Sequence, residues 1–263
     1  MADPQRHQSV AMGDRSDGST SQRPSSGLVY RVAENLEEVV SAWEMVYQSY
    51  RRKDLINPNP YRMHTAPQAI SHDSAVILGR LSSLTVTTLT AMADGPKGLP
   101  LDRVYKDELT KLRGQGRTLV EVGLFADRRK HLARTAEALF QLMRYAFFYG
   151  KERGMTDFVI GVHPRHARFY IRALGFDYLG AERVYPAVND RPVVLLRGDI
   201  QARLKCDPLH PALDFFVKNP LEADEFRHRF EFKPLQIVGS SLEAFQDHSA
   251  TPDEQSIFDD DDC

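Results

Sequence analysis

A long helical stretch at about residues 128–153 leaves few choices for the fold, because a short apolar segment flanks it on each side. Its apolar residues recur at the spacing of one helix face: Leu132, Ala136, Leu139, Phe140, Met143, Ala146, Phe147 and Gly150. The flanking segments, TLVEVGLFA (118–126) and DFVIGV (157–162), are typical of strands. A helix of this length between two apolar strands predicts a parallel crossover unit.

Further strand-like segments precede and follow this unit, so the sheet is expected to be mixed. LVYRVA (28–33), SAVILGR and SLTVTTLTAMAD come before it, and DYLGAERVY and PVVLLRGD come after it. Helical patterns occupy 34–52 and 99–117, and a short helix follows Pro164. We therefore predict an α+β domain with a mixed, mostly antiparallel sheet and helices on both faces.

Composition divides the chain into a core, an extension and two tails. Residues 1–27 are polar and residues 246–263 are acidic, so both are predicted to be disordered. Residues 28–200 hold the predicted domain. Residues 201–245 are predicted to form a helical extension, based on HPALDFFVKN and EADEFRHRFEF.

Bulk properties exclude several functional classes. The net charge of -2 gives no sign of nucleic-acid binding, and no apolar run approaches the ~20 residues that span a bilayer. Two cysteines, Cys206 and Cys263, exclude a disulfide framework or a cysteine-rich zinc site. We find no histidine pair with metal-ligand spacing and no secretory signal. We therefore expect a cytoplasmic protein without a metal, an integral membrane segment or a tightly bound cofactor.

Three segments, in order, carry a family resemblance: GLPLDRVYKDELTKLR (98–113), LVEVGLFA (119–126) and VHPRHARFYIRALGF (162–176). They resemble the FeeM-type long-chain N-acyl amino acid synthases, which have a GNAT-like acyl-CoA N-acyltransferase fold and are relatives of the acyl-homoserine lactone synthases. The resemblance covers about Leu28 to Ile200. It implies transfer of a medium- or long-chain acyl group from acyl carrier protein, or acyl-CoA, to the amine of an amino acid. The donor would be an acyl-phosphopantetheine thioester.

Glu121 is a carboxylate in an otherwise apolar strand. Strict alternation puts it on one face with Gly123 and Phe125, and puts Leu124 and Ala126 on the other. Burial would raise its pKa and make it a plausible base, and the resemblance to the lactone synthases implies that it assists the amine. The alternative is an edge glutamate that pairs with an arginine.

Gly123 stands in the middle of this strand, where glycine often marks a bulge or a close backbone approach. In the fold that the chain resembles, this strand bulges and separates from the next strand. The resemblance thus implies that backbone N–H groups from Gly123 through Leu124 to Phe125 polarise the thioester carbonyl. The alternative is a glycine that gives a neighbour room to pack.

A basic cluster of Arg128, Arg129, Lys130 and Arg134 begins the long helix. GNAT members that use acetyl-CoA carry glycines here, where bare backbone amides bind the pyrophosphate. This chain has His131 at the middle glycine position, so a pyrophosphate site is in doubt. The cluster suits an acidic acyl carrier protein. The alternative is a solvated cationic turn.

His163 ends a strand at the edge of the sheet where ligands bind in open α/β sheets, and His166 is expected near the same cleft. The resemblance implies that Tyr170, one turn further on, protonates the departing thiolate. The alternatives are a strand-end cap for His163 and a packed aromatic for Tyr170. Arg62, in the loop INPNPYRMH (56–64), is a candidate partner for the carboxylate of an amino acid.

Two other functions remain open on sequence grounds. An acetyl-CoA-dependent N-acetyltransferase would show measurable acetyl-CoA affinity, which the doubtful pyrophosphate loop argues against. The other is a catalytically silent module that binds acyl groups or carrier protein. Such a module would have no acyltransferase activity, so an E121Q substitution would change nothing in an activity assay.

Overall fold

The computed structural model describes residues 27–129, 132–206 and 208–232 of the chain. The predicted tail at 246–263 lies outside the described residues, as does all of the tail at 1–27 except Gly27. Lys130 and residues 233–245 of the predicted extension also lie outside them.

One seven-stranded sheet organises the protein, in the order β1-β2-β3-β4-β5-β7-β6. Strands β4 and β5 run parallel, and every other neighbouring pair is antiparallel. The predicted mixed, mostly antiparallel sheet is therefore confirmed, with the parallel pair joined by the long helix. The strands are β1 (Leu28–Val32), β2 (Ala75–Leu81), β3 (Leu84–Ala93), β4 (Leu119–Asp127), β5 (Asp157–Val162), β6 (Asp177–Tyr185) and β7 (Arg191–Asp199).

Six α-helices are present in the described ranges, and local sequence sets several of their ends. Asn35 caps the first helix, because its side-chain oxygen accepts a hydrogen bond from the Glu38 N–H at 3.0 Å. The fourth helix begins at Pro164 and ends at Leu174, and Gly175 follows with a φ of +71°, which suits glycine. The helices are α1 (Leu36–Arg52), α2 (Asp102–Gly114), α3 (Leu132–Glu152), α4 (Pro164–Leu174), α5 (Ile200–Leu204) and α6 (Pro211–Lys218).

The two faces of the sheet carry different helices. Helices α3 and α4 pack over one face, which includes Ile77 and Val120. Helices α1 and α2 cover the other face, over Val76 and Leu119 respectively. Neighbouring residues of one strand thus point to opposite layers, as the pleat requires.

A C-terminal strap, defined here as residues 223–232, passes from one face of the sheet to the other around the β1 edge. It begins with a 3₁₀ helix (Ala223–Phe226), whose Phe226 packs edge-on against Tyr145 and Tyr149 of α3. Beyond it, Phe232 stacks on Trp43 of α1, with 5.6 Å between the ring centroids. The predicted helix over 222–232 is therefore wrong apart from this one turn, because its aromatic side chains serve two separate layers.

Candidate active site

Strands β4 and β5 are paired at one end and separate at the other. Their parallel pairing is limited to Leu119–Asp157, Val120–Phe158 and Glu121–Val159. Beyond these pairs β4 continues beside β3 and β5 continues beside β7. A wedge-shaped gap therefore opens toward the carboxyl ends of both strands.

Buried Asp157 stabilises the end of the wedge where β4 and β5 are still paired. Its carboxylate accepts from Arg117 Nε at 2.5 Å and from Arg197 Nε at 2.6 Å. A buried carboxylate with two charge-assisted partners has its charge compensated, and losing either partner would be costly. The network thus holds the two strands together next to the point where they part.

A cavity of about 890 Å³ occupies the open end of the wedge. Strand residues 122–125 line it on one side and residues 160–163 line it on the other. Its deep wall includes Leu139 and Met143 of α3, and its outer walls are the loop after α1, the start of α2 and the loop between β6 and β7. The cavity therefore crosses the sheet, from the α1 and α2 face to the α3 face.

A bulge in β4 sits at the rim of this gap. Thr88 of β3 pairs with Ala126 and Thr90 pairs with Gly123, so Leu89 alone opposes both Leu124 and Phe125. Leu124 has a φ of +50°, which is rare and strained for a leucine. Strain of this kind persists only where the surrounding structure imposes it.

The bulge overturns the strict alternation predicted for β4. Leu124 and Ala126 pack in the cluster under α1, whereas Phe125 packs toward the α3 layer. Gly123 also faces the α1 side, toward Met92 of the same cluster, so two consecutive residues of β4 face one side of the sheet. A Cβ added at Gly123 would lie 3.3 Å from Met92 Cε, so this glycine also gives a neighbour room.

Glu121 lies on the cavity wall beside the last paired residues and is only 5 % exposed. Its Oε2 accepts a hydrogen bond of 2.9 Å from the Leu101 N–H, at the start of α2. Burial raises the pKa of Glu121 to about 8, with smaller upward effects from the charges of Asp102 and Asp94. Among the described residues no cation pairs with it, so the alternative of an arginine-paired edge glutamate is wrong.

Tyr170 of α4 reaches the cavity from the β5 side. Its ring packs edge-on against Phe169 and Phe176, at centroid distances of 5.5 and 6.2 Å. Burial raises the pKa of its hydroxyl to about 12. The ring is thus packed among aromatic side chains, as the alternative for Tyr170 predicted, and the residue also borders the cavity.

His163 and His166 both line the cavity near its mouth. His163 caps α4, because its Nδ1 accepts from the Arg165 N–H at 3.2 Å, which matches the predicted alternative of a strand-end cap. His166 Nε2 lies 3.1 Å from Arg165 Nε. Burial and then the charge of Arg165 lower the pKa of His166, which favours its neutral form.

Tyr50, His64 and Tyr185 also line the cavity, and none of them was a candidate site residue on sequence grounds. Burial raises the pKa of Tyr50 and of Tyr185, and the nearby Glu121 carboxylate raises both further. Burial also lowers the pKa of His64 to about 4. In the sequence, a tyrosine at the end of a helix or strand looks the same whether it enters a core or a cavity.

Arg128, Arg129 and Arg134, the described members of the predicted basic cluster, are not among the residues that line the cavity. Arg129 pairs with Asp127 at 2.8 Å and also donates to the Arg134 carbonyl oxygen. Arg134 is exposed, and Arg128 is half-buried. Arg62 is exposed, with a φ of +54°, and the structure does not bring it to the cavity. Among the residues that the structure describes, the lysines and arginines that line the cavity are Lys53, Arg103, Arg165 and Arg191.

The described residues provide neither a metal site nor a membrane-spanning helix. No group of three or more His, Cys, Asp or Glu side chains is placed to hold a metal ion. In the same residues, no helix has the length and apolar character needed to cross a membrane.

A protein family and several solved structures are similar to part of this chain. The family described as N-acyl amino acid synthase FeeM matches residues 41–199. The solved structure of FeeM, an N-acyl amino acid synthase from uncultured soil microbes, is 25% identical, with a TM-score of 0.58, over 66% of this chain and 91% of that chain. The AHL synthase LasI is 12% identical, with a TM-score of 0.47, over 65% and 88%. An acyl-CoA N-acyltransferase from Pseudomonas aeruginosa is 14% identical, with a TM-score of 0.45, over 65% and 98%. No curated protein matches the chain.

Proposed function

Because the chain belongs to the FeeM N-acyl amino acid synthase family, we propose that it acylates the amine of an amino acid with a medium- or long-chain acyl group from acyl carrier protein. The protein is an N-acyltransferase with the GNAT fold. The observation that supports the proposed substrates is the cavity that passes between the separated strands of the sheet and is bordered by Glu121 and Tyr170. The same cavity would admit acyl-CoA as the alternative donor.

The reaction is a direct transfer between two bound substrates. The amine nitrogen attacks the thioester carbon, a C–N bond forms and the C–S bond breaks. One proton leaves the nitrogen and one reaches the sulfur, so the products are an amide and a free thiol. Cys206 is exposed and absent from the cavity lining, so it offers no route through a covalent intermediate.

The bulge in β4 is our candidate for polarising the thioester carbonyl. Beyond Glu121, β4 has no pairing with β5, so its backbone amides along Gly123, Leu124 and Phe125 border the cavity. Donors held by a rigid sheet cost no reorganisation when negative charge develops on the oxygen. Loss of one such donor typically costs about 3–4 kcal/mol of transition-state stabilisation.

Glu121 is our candidate base for the amine. With a pKa of about 8, Glu121 ionises as the pH rises toward 8, and the carboxylate formed is a much stronger base than that of an ordinary glutamate. The Leu101 N–H fixes its orientation through Oε2. General-base assistance of this kind contributes roughly 10²- to 10⁴-fold in rate.

Tyr170 is our candidate acid for the departing thiolate, since it lies on α4 and borders the cavity from the β5 side. Its raised pKa keeps the hydroxyl protonated until the sulfur needs the proton. His163 and His166 stand nearer the mouth, and we assign them the exchange of protons with solvent.

A carrier-protein donor is supported by the charges around the cavity. Lys53 and Arg165 lie at its wall, and Arg128 and Arg134 lie near the start of α3. Such a positive surface would attract an acidic carrier protein and the phosphate of its phosphopantetheine arm. Arg129 contributes less, because Asp127 neutralises it.

For the acceptor carboxylate, the structure favours Arg103 over Arg62. Arg103 lines the cavity in the first turn of α2, two residues after Leu101, whose N–H orients Glu121. Within the described part of the chain it forms no ion pair, whereas Arg191 on the same cavity pairs with Asp54 at 3.3 Å. An unpaired guanidinium beside the cavity suits a carboxylate ligand.

The acyl chain is assigned to the deep apolar arm of the cavity. There the gap between the strands leads to Leu139 and Met143 of α3, beside Leu89 and Ile160. Each buried methylene contributes about 0.8 kcal/mol, so a deep apolar arm rewards a long chain over acetate.

A product scan by mass spectrometry tests the proposal. The purified protein is incubated with acyl carrier protein carrying chains of several lengths and a pool of amino acids, beside a matching acyl-CoA series. We expect a new amide with the carrier-protein donor and none from the E121Q variant. Product from acetyl-CoA alone, or no product from any donor, would contradict the proposal.

A further inference from the structure

A second, smaller cavity shares Met143 with the main one, and we call it the α6 pocket. Its volume is about 30 Å³, above the ~10–15 Å³ that a single water-sized group needs. The rest of its wall is mainly apolar, from Phe147, Phe158, Leu174, Phe176, Leu213 and Phe216. A wall of this composition favours a hydrocarbon group over a polar ligand.

The charged residues of this lining are already paired. Asp199 pairs with Arg197 at 2.8 Å, and Arg203 pairs with Asp177. Neither side chain is therefore left to bind a polar ligand, which agrees with the apolar character of the remaining wall.

Met143 separates the two cavities along α3. Leu139 lines only the main cavity, Met143 lines both, and Phe147 lines only the α6 pocket. These residues recur at every fourth position, so they follow one another along one face of the helix. Strand β5 shows the same order, since Ile160 lines the main cavity and Phe158 lines the α6 pocket. A chain that runs down the deep arm therefore meets Met143 first and the α6 pocket next.

Helix α6 contributes Leu213 and Phe216 to the wall of this pocket. Phe216 packs against Phe147, with 5.6 Å between the ring centroids. His210 holds the start of the helix against α4, because its Nε2 donates to the Arg172 carbonyl oxygen at 3.0 Å. Since the family match ends at residue 199, α6 adds a wall from outside the matched part of the chain.

We propose that the α6 pocket is the far end of the acyl site and holds the terminal carbons of the longest acyl chains. Met143 is then a movable partition between this pocket and the deep arm of the main cavity. A methionine side chain suits that role, because its three rotatable bonds let it adapt to irregular spaces. The inference rests on the proposed function, which assigns the acyl chain to the deep arm.

The partition predicts how affinity depends on chain length. Each methylene that becomes buried raises the affinity about fourfold. Carbons beyond Met143 yield less than this in the wild type, because the chain must first displace the methionine side chain. A smaller residue at position 143 should restore the full gain for the carbons that reach the α6 pocket.

The first test is isothermal titration calorimetry with acyl-pantetheines whose saturated chains have eight to sixteen carbons, in the absence of any amino acid. In Met143→Ala, the ratio of affinities between the longest and the shortest chain should rise about 10- to 60-fold over wild type, as two or three more methylenes gain full burial. Met155→Ala removes a half-buried methionine outside both linings and should leave the ratio unchanged.

A second substitution fills the pocket from the α6 side. Adding Leu213→Trp to Met143→Ala should return the ratio to within about 3-fold of wild type, because the indole occupies the space that the chain would use. Val217→Trp is the matched control on the same helix, since Val217 is 47% exposed and lies outside both linings. Thermal melts of each variant confirm that the compared proteins are folded.

Photo-crosslinking of the wild type locates the end of the chain without any substitution. The probe is an acyl-pantetheine with a diazirine at its last carbon, and mass spectrometry of the digested protein finds the labelled residue. With the longest chain we expect the label on Phe147, Leu213 or Phe216, and with the shortest chain on residues of the main cavity.

Three results would overturn the subsite. These are an unchanged affinity ratio in folded Met143→Ala, a raised ratio that persists when Leu213→Trp is added, and long-chain labelling confined to the main cavity. If the wild type makes amide but any of these is found, the subsite alone fails. If acyl-pantetheines bind and label as expected but no amide forms with any donor, the proposed function fails and the subsite stands as an acyl-binding site.

Discussion

Replacing Glu121 with glutamine should make the protein more stable relative to wild type as the pH rises. The carboxyl has an ordinary pKa of 4.5 in an unfolded chain and a pKa of about 8 in the folded protein, where burial disfavours its charge. Above pH 4.5 the unfolded chain releases this proton and the folded chain keeps it. Wild-type stability therefore falls with pH in this window, whereas glutamine has no proton to lose.

The size of the effect follows from the two pKa values. Wild type loses about 1.4 kcal/mol of unfolding free energy per pH unit between the two values, and the loss ends above pH 8. Between pH 5 and pH 7, the advantage of E121Q over wild type should grow by about 2.5 kcal/mol. Any constant effect of the amide on packing cancels from this change.

Urea denaturation of both proteins at several pH values between 4.5 and 9 measures the difference directly, because all other titrating groups are shared. Glu182→Gln removes an exposed carboxyl from β6 and controls for the simple loss of a charge. An E121Q advantage that stays constant from pH 5 to pH 8 would refute the reasoning. It would mean that Glu121 is already ionised in the folded protein.

Other changes test separate parts of the site. Met143→Trp should fill the deep arm of the cavity and lower kcat/KM for the longest acyl donors by about 10- to 100-fold while sparing short ones. The reason is that each methylene that no longer fits costs about 1–3 kcal/mol. A series of donors of increasing chain length measures this, with Met155→Trp, outside the cavity lining, as the control. Arg103→Gln should raise the KM of an amino-acid acceptor about 10- to 100-fold but not that of its decarboxylated amine, whereas Arg62→Gln should leave both unchanged; equal effects in steady-state assays would contradict this assignment. Phe232→Ala should lower the unfolding free energy by about 2–3 kcal/mol without changing kcat, because it removes the stack on Trp43 and neither side chain lines the cavity. An unchanged melting temperature would show that the stack contributes little.

The sequence predicts well where local spacing decides the outcome. The crossover helix α3 and the strands beside it follow from an apolar stripe and two apolar runs, and all three are present. Glu121 also stands out locally, because a lone carboxylate in an apolar strand must be either paired or functional. The structure removes the paired alternative among the described residues.

Features set by the whole sheet were beyond the reach of local patterns. A leucine with positive φ at position 124 is imposed by β3 on one side and the gap on the other, and no residue preference announces it. The prediction used Gly123 as the marker of a bulge and named the range Gly123 to Phe125, which includes the two bulged residues Leu124 and Phe125. The path of the loop after α1 likewise decides that Arg62 faces solvent while His64 lines the cavity.

The C-terminal strap has a practical consequence for defining the smallest useful fragment of this enzyme. The family match spans residues 41–199, so it starts inside α1 and omits β1 and the strap. Yet Trp43, within the match, is covered by Phe232 from outside it, and Tyr145 and Tyr149 are covered by Phe226. A fragment cut at the limits of the match would expose aromatic surface on both sides of the sheet and invite aggregation. Expression or transplantation of the catalytic unit should therefore extend at least from Leu28 to Phe232.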